Sequence, residues 1–145
     1  MRIANNGNTT SIGRYSQMIL VVDDDPDVCN FLQRFMTHAG HESARAADGA
    51  EALELIRTSD KAVDLVITDE NMPKLGGIQL LELARDEGFE MPFILIGGYL
   101  IDEERRARRL KCGFAAVFCK PVNVTAELLP KIRELIGGDN DAPQV

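Results

Sequence analysis

The sequence predicts a doubly wound α/β domain on a five-stranded parallel sheet, from its apolar runs, the segments between them and the short connections. Runs rich in Val, Ile, Leu and Phe recur at residues 18–22, 65–68, 92–96 and 114–119, with a weaker one at 41–46. Runs apolar at nearly every position suit strands covered on both faces. The intervening segments repeat their apolar residues at helical spacing, so strand and helix alternate. Right-handed crossovers between them then place the strands in parallel and the helices on both sides. This is the flavodoxin-like class.

Taken in order, residues 1–17 hold Asn5-Asn6-Gly7-Asn8, turn formers without periodicity, and read as a disordered leader. Residues 18–22 form a buried strand that stops at Asp23-Asp24-Asp25-Pro26. Asp25 before Pro26 reads as a helix N-cap and first helical residue. Val28, Phe31, Leu32, Phe35, Met36 and Ala39 then share one face, and Gly40 closes the helix. Residues 41–46 suit an edge strand, and Asp48 caps a helix that turns Ala52, Leu53 and Ile56 inward. The run 65–68 ends in Asp69 and breaks at Pro73. Gly76-Gly77 leads into a helix with Ile78, Leu81 and Ala84 inward, closed by Gly88. The run 92–96 enters Gly97-Gly98-Tyr99. Asp102-Glu103-Glu104 opens a helix that continues through Arg105, Arg106, Arg108, Arg109 and Lys111, acids first and bases last as the helix dipole favours. Residues 114–119 form the fifth strand, ended by Lys120-Pro121. The last helix spans 124–136 with Leu128, Ile132 and Leu135 inward, and Pro130 must kink its first turns or delay its start. Residues 138–145 read as a flexible tail, leaving 18–137 as one folded domain.

Composition narrows the function. A chain of 145 residues with 45% hydrophobic content buries a real core without room for a second domain. Its net charge of -7 argues against nucleic acid or an anionic membrane as partner and is compatible with a bound cation. No stretch suits a membrane span or a signal peptide, so a cytoplasmic location is expected. Cys29, Cys112 and Cys119 lack the spacing of a zinc site or a disulfide framework and read as buried or half-buried thiols. His38 and His41 have no partner at ligand spacing and read as surface or rim residues.

In a parallel sheet all carboxyl ends lie on one edge, so Asp23, Asp24, Asp69, Gly97 and Lys120 can converge. Close carboxylates repel, and a hard cation such as Mg²⁺, which takes oxygen ligands, relieves them. A strand-end carboxylate so placed can act as a nucleophile toward a phosphoryl group whose oxygens a metal and a lysine neutralise. Asp23 and Asp24 as two solvated loop acids is the competing reading.

From residue 18 to about 136 the sequence resembles the receiver domain of two-component response regulators. The residues that carry the resemblance are Val21-Val22-Asp23-Asp24-Asp25-Pro26, Asp69-Glu70-Asn71-Met72-Pro73 with Gly76-Gly77, and Lys120-Pro121. The resemblance implies that Asp69 is the phosphoacceptor, charged by a sensor histidine kinase or phosphotransfer protein. It implies that Asp23, Asp24, Asp69 and the backbone carbonyl of Asn71 hold Mg²⁺, with Asp24 the more direct ligand of the acidic pair. Lys120 then pairs with carboxylate or phosphoryl oxygens, and its bond to Pro121 is expected to be cis. The chain departs from the family at two places. Glycine stands at 97 where the family has Ser or Thr, and Val117 replaces the aromatic switch residue. Backbone N–H groups of Gly97 and Gly98, or the Tyr99 hydroxyl, are the remaining contacts for a phosphoryl group.

An alternative is a degenerate receiver that acts as a phosphorylation-independent interaction module. Turnover of a small-molecule phosphate ester is disfavoured, because Asn71, an amide, stands where a second general acid/base would follow Asp69. The basic helix 103–111 reads either as a solvated face or as an output surface for an acidic partner or a second copy of the chain.

Overall fold

The computed structural model describes residues 17–98 and 101–137. The leader, apart from Gln17, and the tail 138–145 lie outside the described residues, as does Tyr99. Strand β1 (Met18–Val22) is followed by α1 (Pro26–His38), β2 (Glu42–Ala46), α2 (Gly49–Thr58), β3 (Leu65–Asp69), α3 (Gly77–Asp86), β4 (Phe93–Gly97), α4 (Glu103–Cys112) and β5 (Ala116–Cys119). A π-helical turn, Val124–Leu128, then runs into α5 (Leu129–Ile136).

The five strands form one parallel sheet in the order β2-β1-β3-β4-β5. The flavodoxin-like expectation therefore holds. Alternate strand residues build two cores, as the period of a strand requires. Leu20, Val22, Val66 and Leu95 pack with Leu53, Ile56, Leu80 and Leu81 on the side of α2 and α3. Ile19, Val21, Ile67 and Ile94 pack with Leu32, Met36, Leu128 and Ile132 on the side of α1 and α5.

The helix starts follow from their caps. Asp25 accepts the Asp27 N–H at 2.9 Å, Asp48 the Glu51 N–H at 2.8 Å and Asp102 the Arg105 N–H at 2.8 Å. Each satisfies a donor that the first helical turn leaves free. The last helix starts late, as Pro130 demands: Leu128 N–H reaches back to the Asn123 carbonyl at 3.3 Å, a wider turn than an α-helix makes, and Pro130 then falls in the first turn of α5, where its missing N–H costs nothing.

Several expectations need correction. On α1 the buried residues are Cys29, Leu32 and Met36, whereas Phe31 is 52% exposed. The inward face is thus rotated toward Cys29, whose thiol donates to the Asp23 carbonyl at 3.4 Å. Cys112 is exposed rather than buried or half-buried. The fifth strand begins at Ala116, not at 114. Helix α4 buries no residue at all, and Arg106 and Arg109 occupy the side that faces the protein.

Candidate functional site

The sheet order reverses between β1 and β3, where the carboxyl ends of an open α/β sheet form a crevice. Val22 is in register with Thr68, so the next residues, Asp23 and Asp69, emerge side by side. Asp24 follows on the loop to α1. One oxygen from each of these three carboxylates lies within 4.8 Å of the others. Lys120, the residue after β5, reaches back with its Nζ 3.2 Å from Asp69 Oδ1 and 3.9 Å from Asp23 Oδ2. The four charged residues read from the sequence therefore meet at one edge, and the Lys120-Pro121 peptide is cis.

Their charges are coupled. Burial pushes the Asp23 carboxyl above its ordinary range; the Asp25 N–H, 2.9 Å from its Oδ1, opposes this and the charge of Asp69 adds to it. Burial works against the Lys120 ammonium, but the hydrogen bond and charge of Asp69, with the charges of Asp23 and Asp24, outweigh it and raise its pKa. One ammonium does not balance three carboxylates. The oxygen-only donor set and the uncompensated negative charge fit a hard divalent cation.

The loop after Asp69 is held against α3. Gly77 donates its N–H to the Glu70 carbonyl at 3.0 Å, and a Cβ on Gly77 would stand 2.4 Å from the Asp69 carbonyl oxygen. Only glycine lets α3 start so close to the end of β3. Asn71 is exposed on this loop, next to Met72 and Pro73. Thr68, 1% exposed, donates its hydroxyl to the Asp69 carbonyl at 2.8 Å.

Gly97 ends β4 with ordinary strand backbone, since the glycines with positive φ are elsewhere. A Cβ there would lie 3.4 Å from Ile101 Cδ1 and 3.6 Å from Glu70 Oε1, both ordinary contact distances. Glycine at 97 is thus not imposed by the backbone, and what the position lacks is a hydroxyl. Gly98 is exposed with open space around it. Val117 is 2% exposed inside the α2/α3 core.

Sequence reasoning missed Glu70 and Arg109. Arg109 Nη2 lies 2.6 Å from Glu70 Oε2, and the two side chains are 15% and 11% exposed. The Glu70 hydrogen bond pushes the Arg109 guanidinium further above its ordinary range. No local signal could reveal the pair, because its members are 39 residues apart and each sits in a run of like charge. Of the other bases on α4, Arg106 donates to the Val117 carbonyl and Arg108 pairs with Glu104 at 3.0 Å.

Beside the acidic cluster a cleft of about 300 Å³ lies between α1 and the segment after Lys120. Val28, Phe31 and Val122 line its apolar side, and Asp23, Asp69 and Lys120 line the other. The exposed Phe31 ring packs edge-on to Phe35, with centroids 5.1 Å apart.

Comparison with known proteins agrees with this architecture. A family profile described as response regulator receiver domain matches residues 19–133. The chain is 34% identical over 109 residues to the sensor histidine kinase RcsC of Salmonella typhi, covering 75% of this chain and 11% of that protein. It is 34% identical over 124 residues to the transcriptional regulatory protein PrrA of Mycobacterium bovis, covering 86% of this chain and 52% of that protein. The chain thus spans about half or less of these relatives. The receiver domain of the Francisella response regulator 1452 superposes with a TM-score of 0.77 at 31% identity, covering 83% of this chain and 97% of that one. With the acidic edge, the paired lysine and the sheet order in agreement, this chain belongs to the response regulator receiver domain family of two-component signalling.

Proposed function

We propose that residues 18–137 act as a phosphorylation-dependent signalling module in which Asp69 accepts a phosphoryl group from a sensor histidine kinase or a phosphotransfer protein. The observation that carries this reading is the 3.2 Å contact of Lys120 Nζ with Asp69 Oδ1 beside the carboxylates of Asp23 and Asp24. An Asp69 oxygen attacks the phosphorus of a phosphohistidine; the new O–P bond forms as the N–P bond breaks, and the imidazole nitrogen keeps the electron pair. Lys120 supplies positive charge where negative charge gathers on the phosphoryl oxygens. Asp23, Asp24 and Asp69, with the Asn71 carbonyl, would hold Mg²⁺. That ion would neutralise phosphoryl charge when bound. Backbone N–H groups of Gly97 and Gly98 are the phosphoryl contacts available at that position.

The cleft beside Asp69, with Phe31 52% exposed at its rim, suits docking of a partner that brings its phosphohistidine to the carboxylate. Turnover of a small-molecule phosphate ester is disfavoured, because Asn71, an amide, stands at the two-residue spacing where a second general acid/base would follow Asp69. A cytoplasmic location accords with the finding that none of the described helices is long and apolar enough to cross a membrane. An output partner or a second copy of the chain would use α4, where Arg105 and Lys111 remain exposed for an acidic surface.

Incubation with a small phosphodonor and Mg²⁺, read by intact mass and peptide mapping, tests the assignment. One phosphoryl group is expected, on Asp69. Equal labelling of Asp69→Asn would remove Asp69 from this role. Gly97, without a hydroxyl, favours a second reading as a phosphorylation-independent interaction module. An unlabelled wild-type chain that still binds its partner would favour that reading.

A further inference from the structure

Helix α4 meets the rest of the domain through polar contacts of its arginines. It buries no residue, and Leu110 is 43% exposed. Its inner side instead carries two arginines one turn apart, Arg106 on the Val117 carbonyl and Arg109 on Glu70. A helix without apolar burial rests on such contacts for its position. Glu70 is the residue after Asp69, and its Oε1 lies 3.6 Å from where a Cβ of Gly97 would be. The ion pair therefore runs from the residue beside the acceptor, past the position that lacks a hydroxyl, to the outer helix.

We propose that the Glu70–Arg109 pair is the switch contact of this domain: a phosphoryl group on Asp69 draws the Arg109 guanidinium away from the Glu70 carboxylate and moves α4 with it. The proposal rests on Asp69 being the phosphoacceptor. Arg109 holds a donor in reserve, since its Nε is buried and has no hydrogen-bond partner among the described residues. Glu70 as placed meets Nη2 and leaves Nε unmet, whereas a phosphoryl group on Asp69 offers oxygens for both through the planar fork of the guanidinium. This difference between the two states is what a switch requires, because a ligand shifts an equilibrium only by its differential affinity. Arg106 remains on the Val117 carbonyl, so the helix pivots rather than leaves.

Amide hydrogen exchange of residues 103–112 in the full chain, with and without acetyl phosphate and Mg²⁺, tests this at phosphoryl occupancies matched by intact mass. Wild type should change its exchange there on phosphorylation. Arg109→Gln should take the label without that change. Glu70→Gln, with no phosphodonor, should already exchange about tenfold faster over this helix, the effect of losing a hydrogen bond to a charged group. Should Arg109→Gln fail to fold, Arg109→Lys, which keeps the charge but not the fork, replaces it and should lose most of the response. A wild-type response in the labelled Arg109 variant overturns the switch and leaves the acceptor assignment standing. A wild-type chain that takes no label overturns the acceptor assignment itself, and the trigger with it.

Discussion

Asp23 and Lys120 set the pH behaviour of the acidic edge. Burial raises the folded-state pKa of Asp23 above the usual carboxylate value, so the folded chain holds its proton to higher pH than the unfolded chain does. The associated stability is fully present below the unfolded pKa and is lost as pH rises through the folded one. In a metal-chelating buffer, thermal melts from about pH 4 upward should show this loss in wild type, and Asp23→Asn should flatten it. Asparagine keeps an oxygen for the Asp25 N–H, so an unchanged slope in that variant would place the titration elsewhere. Lys120 has the same sign, at the alkaline end of the scale. Its raised pKa makes its contribution complete below the ordinary lysine value and lost only in strong alkali, beyond the folded pKa. At neutral pH Lys120→Met leaves Asp69 and Asp23 facing each other without a cation, and should cost about 1 to 3 kcal/mol in urea unfolding.

Among the elements, those with strong local signals were legible and those set by distant partners were not. The Asp25-Pro26 start of α1 was readable, because cap and first-turn chemistry lies within neighbouring residues. Asp25→Ala should lower stability by about 0.5 to 2 kcal/mol, measured as a shift of the urea midpoint at constant slope. The facing of α1 was misread at Phe31, whereas Cys29, expected to be buried or half-buried, is buried; the apolar spacing allows either rotation and the Asp23 carbonyl, a tertiary partner, favours the thiol side. Helix α4 was legible as a helix from Asp102 and its charge order, but its inner arginines were not, because their partners are distant in sequence, Glu70 just after β3 and Val117 within β5. Gly77 was read as a helix entry, and its closer constraint is the Asp69 carbonyl 2.4 Å from a would-be Cβ. Gly77→Ala should therefore displace the loop after Asp69 and cost about 1 to 3 kcal/mol by overpacking, with a lower urea midpoint as the readout. An unchanged midpoint would mean that α3 can back away freely.

At the scale of the whole molecule, the sheet was readable because its strands are apolar on both faces, and the acidic edge because parallel strands bring every carboxyl end to one side. The same geometry concentrates negative charge in a chain whose net charge is already -7. Folding thus brings Asp23, Asp24 and Asp69 together against their repulsion, with Lys120 as the nearby cation. Removing one carboxylate should stabilise the domain when no divalent cation is present: Asp24→Ala should melt higher than wild type in chelator. Adding Mg²⁺ should reverse the order. A ligand that binds only the folded state stabilises it by RT ln(1 + [L]/Kd), about 2.7 kcal/mol at a hundredfold excess over Kd, which is several degrees for a domain of this size. Wild type should gain that shift and Asp24→Ala should gain little. A series in NaCl of matched ionic strength separates site binding from general screening of the acidic surface, because screening raises both proteins alike. If Asp24→Ala keeps the full Mg²⁺-dependent rise in melting temperature, the cation is held without the acidic pair, and the carboxylate cluster is a cost of the fold rather than a metal site.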